Sequence, residues 1–445
     1  MKKIFFYFIV LFLSNFSLMA DEFSPDSIIS IMKKCANYRL STVGATNIPA
    51  TWDGGAYYTG LTALYRLTKD QTYKNAIMAW AQKNNWTPRS AGNPDDHCAA
   101  QTYCEMYILD PKPENAYMYQ PWKNIVDNNL MRTPHAPGSA IWYWIDALYM
   151  APPGMAMLDY ITNDSKYSTR VMEYWWNVRD SLYVPKYHFY YRDKTFILER
   201  CKDSAWCVAS NGGPVFWGPG NAWLVGGMVR VLKYMPVNHP ERTAFANHLR
   251  EICDSLIAKQ QGDGLWTTSL CDTVQWPIHE SSGTAFFCFA MAWGINNGVL
   301  DPAKFLIPVR KAWSALVKNI SPTDGRLQWC QHVNMRPYND IEKNYSSAEG
   351  EGAFMLAGEE MYKLVTTPVT NKHKINYNIL RSNIKFHKII YLDYAFFIND
   401  ISDNINQIEI YNLHGDLIEK KEKLEIKNNH LLNFSNKGIL ILKYK

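Results

Sequence analysis

The sequence is poor in several of the signals that sort proteins by function. None of its nine cysteines stands in C-x-x-C spacing, and His97 beside Cys98 is the nearest approach to a ligand pair, so no metal is expected. Net charge is only +5 over 445 residues, and the main body has no Lys/Arg run interleaved with aromatics, which speaks against a nucleic-acid surface. The Gly-rich turn at 216–223 is not followed by Gly-Lys-Ser/Thr, so it is no phosphate loop. Ile4–Leu13 is a run of ten apolar residues, too short to cross a bilayer, and no later stretch is long enough either, so no membrane span is expected.

Nine cysteines cannot all pair, which excludes a simple disulfide framework. Cys201 and Cys207 share a polar loop and could bridge. Cys35, Cys98, Cys104, Cys253, Cys271, Cys288 and Cys330 sit in helix-like apolar contexts that suit small buried thiols.

Aromatics, by contrast, are abundant, at 14% with 16 Trp and 28 Tyr. Their flat faces suit sugar rings, although filling a large helical core is the plainer use. The N-terminus places Lys2 and Lys3 before Ile4–Leu13 and a cleavage point after Ala20, the pattern of a secretory signal peptide over residues 1–20, with Leu18 larger than usual at such a site. An exported protein is expected, extracellular or at the cell surface, with the periplasm as alternative.

From residue 26 to about 365 the apolar residues recur at helical spacing in twelve segments, near 26–40, 54–68, 71–84, 95–109, 114–130, 146–162, 166–181, 220–235, 240–260, 280–297, 302–318 and 348–365. Gly60, Leu64, Leu67, Thr68, Asp70, Tyr73 and Met78 recur as Gly154, Leu158, Ile161, Thr162, Asp164, Tyr167 and Met172, at one offset of 94 residues. Each copy reads as a helix, a Thr-x-Asp turn whose Asp caps the next helix, and that helix. Six such hairpins predict an all-α catalytic unit, an (α/α)6 barrel over residues 21–365, with an open α-solenoid as alternative. Residues 366–376 read as a linker. Beyond it Gln407–Leu413 alternates in period two and Leu440–Lys445 closes as a strand, which predicts a small β-sandwich-like domain over 377–445.

Five stretches could carry chemistry. Asp146 lies in Trp142–Pro153 (WYWIDALYMAPP), where aromatic surroundings either raise its pKa, as a general acid needs, or hold it as a structural anchor. Asp95 and Asp96, in Asn93–Tyr103 (NPDDHCAAQTY), stand at a helix start, where one of them could simply be the cap. Arg192, in Tyr190–Asp193 (YYRD), could grip a carboxylate or merely pair with Asp193 at the surface. Phe216–Trp223 (FWGPGNAW) sets two Trp at a helix mouth. Asp263–Leu270 (DGLWTTSL) precedes His279–Asp301 (HESSGTAFFCFAMAWGINNGVLD), whose small residues allow close approach of a ligand or, more plainly, of a neighbouring helix.

In this order, these pieces resemble the unsaturated rhamnogalacturonyl and glucuronyl hydrolases of glycoside hydrolase family 105, over residues 40–365. The resemblance implies the (α/α)6 barrel and a reaction in which the C4=C5 double bond of a terminal unsaturated uronic acid is protonated at C4 and hydrated at C5. No metal, nucleotide or other cofactor is implied. By motif position Asp146 would be the general acid/base and Asp95 the second carboxylate. Asp96 would line the site beside it, Trp52, Trp144, Trp217 and Trp223 would stack on sugar rings, and Arg192 would meet the uronate carboxylate. Where the family commonly reads Trp-x-Arg-Gly-Asn-Gly-Trp, Pro219 replaces the Arg. The tail Ser435–Lys443 resembles the C-terminal sorting domains of a bacterial secretion machinery, with a carbohydrate-binding module as rival.

The implied function is therefore an exo-acting hydrolase of lyase-generated oligosaccharides, of rhamnogalacturonan or ulvan type. The alternatives are a non-catalytic glycan-binding protein, motivated by Pro219, and an (α/α)6 lyase or epimerase, which would need a Tyr/His or paired-His constellation that the sequence does not present.

Overall fold

In the computed structural model of the chain, the described residues are 22–132, 142–201 and 207–366, with short strand segments between 389 and 444. The expected signal peptide, residues 1–20, lies outside them, as do residues 367–376 of the expected linker, whose first residue, Thr366, is the last of a helix. Contacts divide the chain at Val369/Thr370 into two units.

The first unit is built from helices in chain order: α1 (Pro25–Thr42), α2 (Trp52–Thr68), α3 (Gln71–Lys83), α4 (Pro94–His97), α5 (Ala99–Leu109), α6 (Gln120–Ile125), α7 (Ala147–Met150), α8 (Pro152–Thr162), α9 (Lys166–Leu182), α10 (Gly218–Tyr234), α11 (Arg242–Ile257), α12 (Ser281–Asn296), α13 (Pro302–Lys318) and α14 (Ala348–Thr366). Two short hairpins interrupt them, β1 (Tyr183–Val184) with β2 (Phe189–Tyr190) and β3 (Trp266–Thr267) with β4 (His279–Glu280).

Sequence composition decides which helices go inside. In α12 every residue from Ser281 to Ile295 is buried, and α10 buries all of its residues but Lys233, as a helix surrounded by protein must. In α13, by contrast, Phe305, Leu306, Val309, Ala312, Trp313, Ala315 and Leu316 form one buried stripe on an otherwise polar helix. Helices α2, α5, α8, α10, α12 and α14 touch in succession, and α14 returns to α2, so the inner ring is closed. This is the (α/α)6 barrel rather than a solenoid. Small residues set the spacing: a methyl group on Gly60 of α2 would stand 2.3 Å from the carbonyl oxygen of Gly352 in α14.

The 94-residue repeat is visible in the backbone. Lys69 and Asn163, which are 94 apart, both end their inner helices in the left-handed conformation, at φ 56° and 52°. Asp70 then accepts from Thr72 N at 3.0 Å, and Asp164 from Lys166 N at 3.2 Å. Tyr73 and Tyr167 donate their hydroxyls to Asn37 and Asp127 on the preceding outer layer.

Three of the twelve segments are less regular than their apolar spacing predicts. The segment at 114–130 is a 3-10 turn, the short α6 and a π-helical turn over Val126–Leu130. The segments at 95–109 and 146–162 are each broken in two, with consequences described below.

The inner helices run parallel. Their starts gather at one end, where a methyl on Gly55 would meet Cys98 and Ala99, one on Gly283 would meet Pro219, and one on Gly350 would meet Ser282. Their ends are bridged by buried charge. Arg66 of α2 grips Glu359 of α14 at 2.6 and 2.8 Å, while Glu105 of α5 accepts from Tyr234 of α10 and lies 3.3 Å from Arg230. Burial alone would raise Glu105, but Arg230, Arg66 and Lys233 outweigh it and hold it down at about 2.

In the second unit the described strands are β5 (Ile389–Ile390), β6 (Ala395–Phe396), β7 (Gln407–Tyr411), β8 (Leu417–Glu422), β9 (Leu432–Asn433) and β10 (Leu440–Tyr444). β5, β10, β7 and β8 form an antiparallel sheet in that order, with Ile441 opposite Tyr411, and β6 pairs with β9.

Candidate active site

The two stretches that carry the candidate carboxylates are the two inner segments that break. Asn93 caps α4, accepting from Asp95 N at 3.3 Å, with Pro94 in the first turn. Capping therefore falls to Asn93, which corrects the reading of Asp95 or Asp96 as the cap. Helix α7 is parted from α8 at Ala151, because Pro152 and Pro153 have no N–H to give to a continuous helix. The detached turns α4 and α7 pack on each other, and this contact brings Asp95 toward Asp146.

A short strand pairing supplies the third member. Trp144 forms an isolated antiparallel bridge with Asp193, and Ile145 N donates to Arg192 O at 3.0 Å, so Asp146 leaves the bridge beside Arg192. Arg192 Nε lies 3.4 Å from Asp146 Oδ2, while its Nη1 donates to Asp193 Oδ2 at 2.6 Å. Its guanidinium carbon stands 5.9 Å from the Trp144 ring centroid, within cation–π range. The Arg192–Asp193 pair is not the surface pair that its sequence context also allowed, since Asp193 is only 5% exposed.

Asp146 is 8% exposed, and burial pushes its carboxyl up to about 6. Arg192 opposes that rise, whereas the charges of Asp95 and Asp193 add to it. Asp95 is half-buried and is also raised, first by burial and then by Asp96, with Arg192 opposing. Asp96 is turned toward Arg89, at 3.1 Å, so its charge is already paired.

The four Trp are not equivalent. Trp223 is buried among Trp52, Tyr149 and Phe286, at centroid distances of 6.0, 4.9 and 4.7 Å. Trp217 is buried too, and its Nε1 donates to Gln331 at 3.0 Å. Trp52 is half-buried, and Trp144 carries the exposed Tyr143 against its edge. Pro219 is buried in the first turn of α10, facing Gly283. The guanidinium at this site is that of Arg192.

Some residues at this end escaped the sequence reading. Glu280 caps α12, accepting from Ser282 N at 2.7 Å, Gly283 N at 2.6 Å and Gln331 N at 3.1 Å. Its signal, a carboxylate directly before a small-residue helix start, is present in the sequence, but the same small residues equally suit helix packing. Glu349, at the start of α14, is pushed up to about 7 by burial, with Ser347 pulling down and Asp53 of neighbouring α2 adding to the rise. Nothing local in the sequence joins residues so far apart. Among the described residues no group of three or more metal-ligating side chains comes together.

A buried acid pushed up to about 6 can donate a proton, a second carboxylate at its side can steady the cation that forms, and a fixed guanidinium can hold an anionic substrate.

The chain is similar to several known proteins. An unsaturated 3S-rhamnoglycuronyl hydrolase of Formosa agariphila is 32% identical over 326 residues, covering 71% of this chain and 85% of that protein. A glycosyl hydrolase family 88 structure from Bacteroides vulgatus superposes with a TM-score of 0.69 at 27% identity, covering 76% of this chain and 99% of that one. A solved structure named as a polysaccharide lyase does so with a TM-score of 0.69 at 29% identity, covering 78% of this chain and 99% of that one. The model of Glycosyl Hydrolase Family 88 matches residues 26–365. That match runs through the whole inner ring and both broken helix starts, and the chain therefore belongs to glycosyl hydrolase family 88 and is a glycoside hydrolase.

Proposed function

We propose that this chain removes the terminal 4,5-unsaturated uronyl residue from lyase-generated oligosaccharides, acting from the chain end. The observation that carries this reading is Asp146, buried, raised to about 6 and set against Arg192. Asp146 gives its proton to C4 of the vinyl ether, and the cation left at C5 is shared with the ring oxygen. Water adds at C5, its proton returning to Asp146, with Asp95 orienting the sugar or assisting proton movement. The hemiketal then opens, expelling the neighbouring sugar and leaving a keto-uronate. Arg192 meets the substrate carboxylate, and Trp52 and Trp144 offer ring faces.

The name of the Formosa relative supports a uronate joined to rhamnose, hence an ulvan- or rhamnogalacturonan-type substrate. Export is part of the proposal, and the disulfide between Cys201 and Cys207 supports an oxidising compartment. The tail would engage the secretion machinery.

Incubation with lyase-treated ulvan or rhamnogalacturonan, followed by the enol-ether absorbance, tests the reading. Loss of absorbance with release of a shortened oligosaccharide is expected. The neighbour named as a polysaccharide lyase motivates the second reading, under which absorbance would grow on intact polymer. Binding with no change in absorbance would mean a glycan-binding protein.

A further inference from the structure

Arg192 is claimed from two sides. Its Nη1 is held by Asp193 at 2.6 Å, a short charge-assisted bond, whereas its nearest approach to Asp146 is through Nε, 3.4 Å away and without hydrogen-bond alignment. Asp146 Oδ1 is buried with no partner among the described residues. Asp193 is itself anchored through its other oxygen, which accepts from Thr195 N at 2.7 Å and from Thr195 Oγ1 at 2.5 Å. The carbonyl of Thr195 in turn lies 3.2 Å from Cys207 Sγ in the Cys201–Cys207 disulfide. The tug on the guanidinium thus comes from a fixed point.

We propose that Asp193 is a positioning residue: it draws the guanidinium of Arg192 away from full pairing with Asp146, so that the acid retains its proton and an edge of the guanidinium stays open to the substrate carboxylate. The inference rests on the reading of Asp146 as the proton donor. A free Arg beside a buried carboxylate would turn to form a two-bonded pair with it, and such a pair strips the carboxyl of its proton. The charged groups that reach Asp146 are Arg192 and Asp193 from the strand opposite and Asp95 from α4, with Asp96 and its partner Arg89 behind Asp95. Of these, Asp193 is the one that holds Arg192 by a direct bond.

D193N tests this, because an amide keeps the shape and one oxygen for Thr195 but gives up the charge that grips Arg192. In the intact protein the titration midpoint of Asp146, followed by carboxyl-carbon NMR, is expected to fall by about one pH unit or more. The high-pH limb of kcat/KM should move down with it, and KM for the unsaturated oligosaccharide should rise several-fold. In the R192A background D193N should shift the midpoint by only about a few tenths, because the charge of Asp193 alone then remains to be lost. An unchanged midpoint in D193N, or an equal shift in both backgrounds, would reduce Asp193 to a loop cap and overturn the inference. The NMR midpoint needs no substrate. A shift seen in a protein that leaves the enol-ether absorbance untouched would uphold the positioning role while refuting the proposed reaction.

Discussion

Ile145 N donates to Arg192 O at 3.0 Å, and through that one backbone bond two side chains 46 positions apart are set next to each other. The bond fixes register. A slip of one residue would turn Asp146 to the opposite face of the pairing and part it from the guanidinium.

D146N should reduce turnover of the unsaturated oligosaccharide by about 10²–10⁴-fold, the usual range for removal of a general acid. It should also make the fold more stable at pH 7. The folded-state pKa of Asp146, about 6, lies above its ordinary 3.8, so stability from this group is fullest below about 4 and is lost as pH rises to 6. An isosteric neutral side chain should recover on the order of 1–3 kcal/mol, read from urea denaturation at pH 7. A variant that kept wild-type turnover would remove Asp146 from the mechanism.

The same titration shapes the rate. Asp146 works only when protonated, so kcat/KM should fall as pH rises through about 6, approaching tenfold per pH unit on the alkaline side. A profile that rose across that window would assign the proton donor elsewhere.

R192A should act in two ways. Loss of a guanidinium partner for the substrate carboxylate should raise KM by about tenfold or more. Because Arg192 holds the Asp146 carboxyl below where burial would put it, its removal should shift the alkaline limb to higher pH, opposite to D193N. Both effects appear in one set of pH-dependent kinetics.

E280A should be mainly a stability variant. Three backbone N–H groups, of Ser282, Gly283 and Gln331, lose their acceptor inside the protein. A cost of about 2–4 kcal/mol is expected from denaturant melts. Because the Gln331 side chain also accepts from Trp217 Nε1, some loss of substrate affinity should accompany it.

Where the sequence foretold this molecule, it did so through local periodicity. The inner and outer helices follow from spacing alone, and the copy of 60–78 at 154–172 reproduces even the left-handed helix ends at Lys69 and Asn163. The fracture of the segments at 95–109 and 146–162 was less legible. Apolar spacing runs across Cys98 and Ala151 without a gap, although Pro152 and Pro153 were in plain view as the cause. Asp146 and Asp95 could be named from their motifs, but the state of Arg192 could not. Its partner Asp193 is its chain neighbour, and only the pairing of residue 144 with residue 193 reveals that the same guanidinium also faces Asp146. Glu349 and Asp53 meet because α14 closes the ring on α2, an encounter that depends on global topology.

That closure has a kinetic corollary. Arg66, Glu105, Glu359 and Arg230 lace the far ends of four inner helices together, so the helix-start end is the natural doorway for arriving sugar and departing fragment alike. With traffic in both directions through one entrance, the freed uronate and the shortened oligosaccharide would both have to leave the way the substrate came, and under the proposed reaction the next cut would fall on a different chain, because the shortened one no longer ends in a C4=C5 bond.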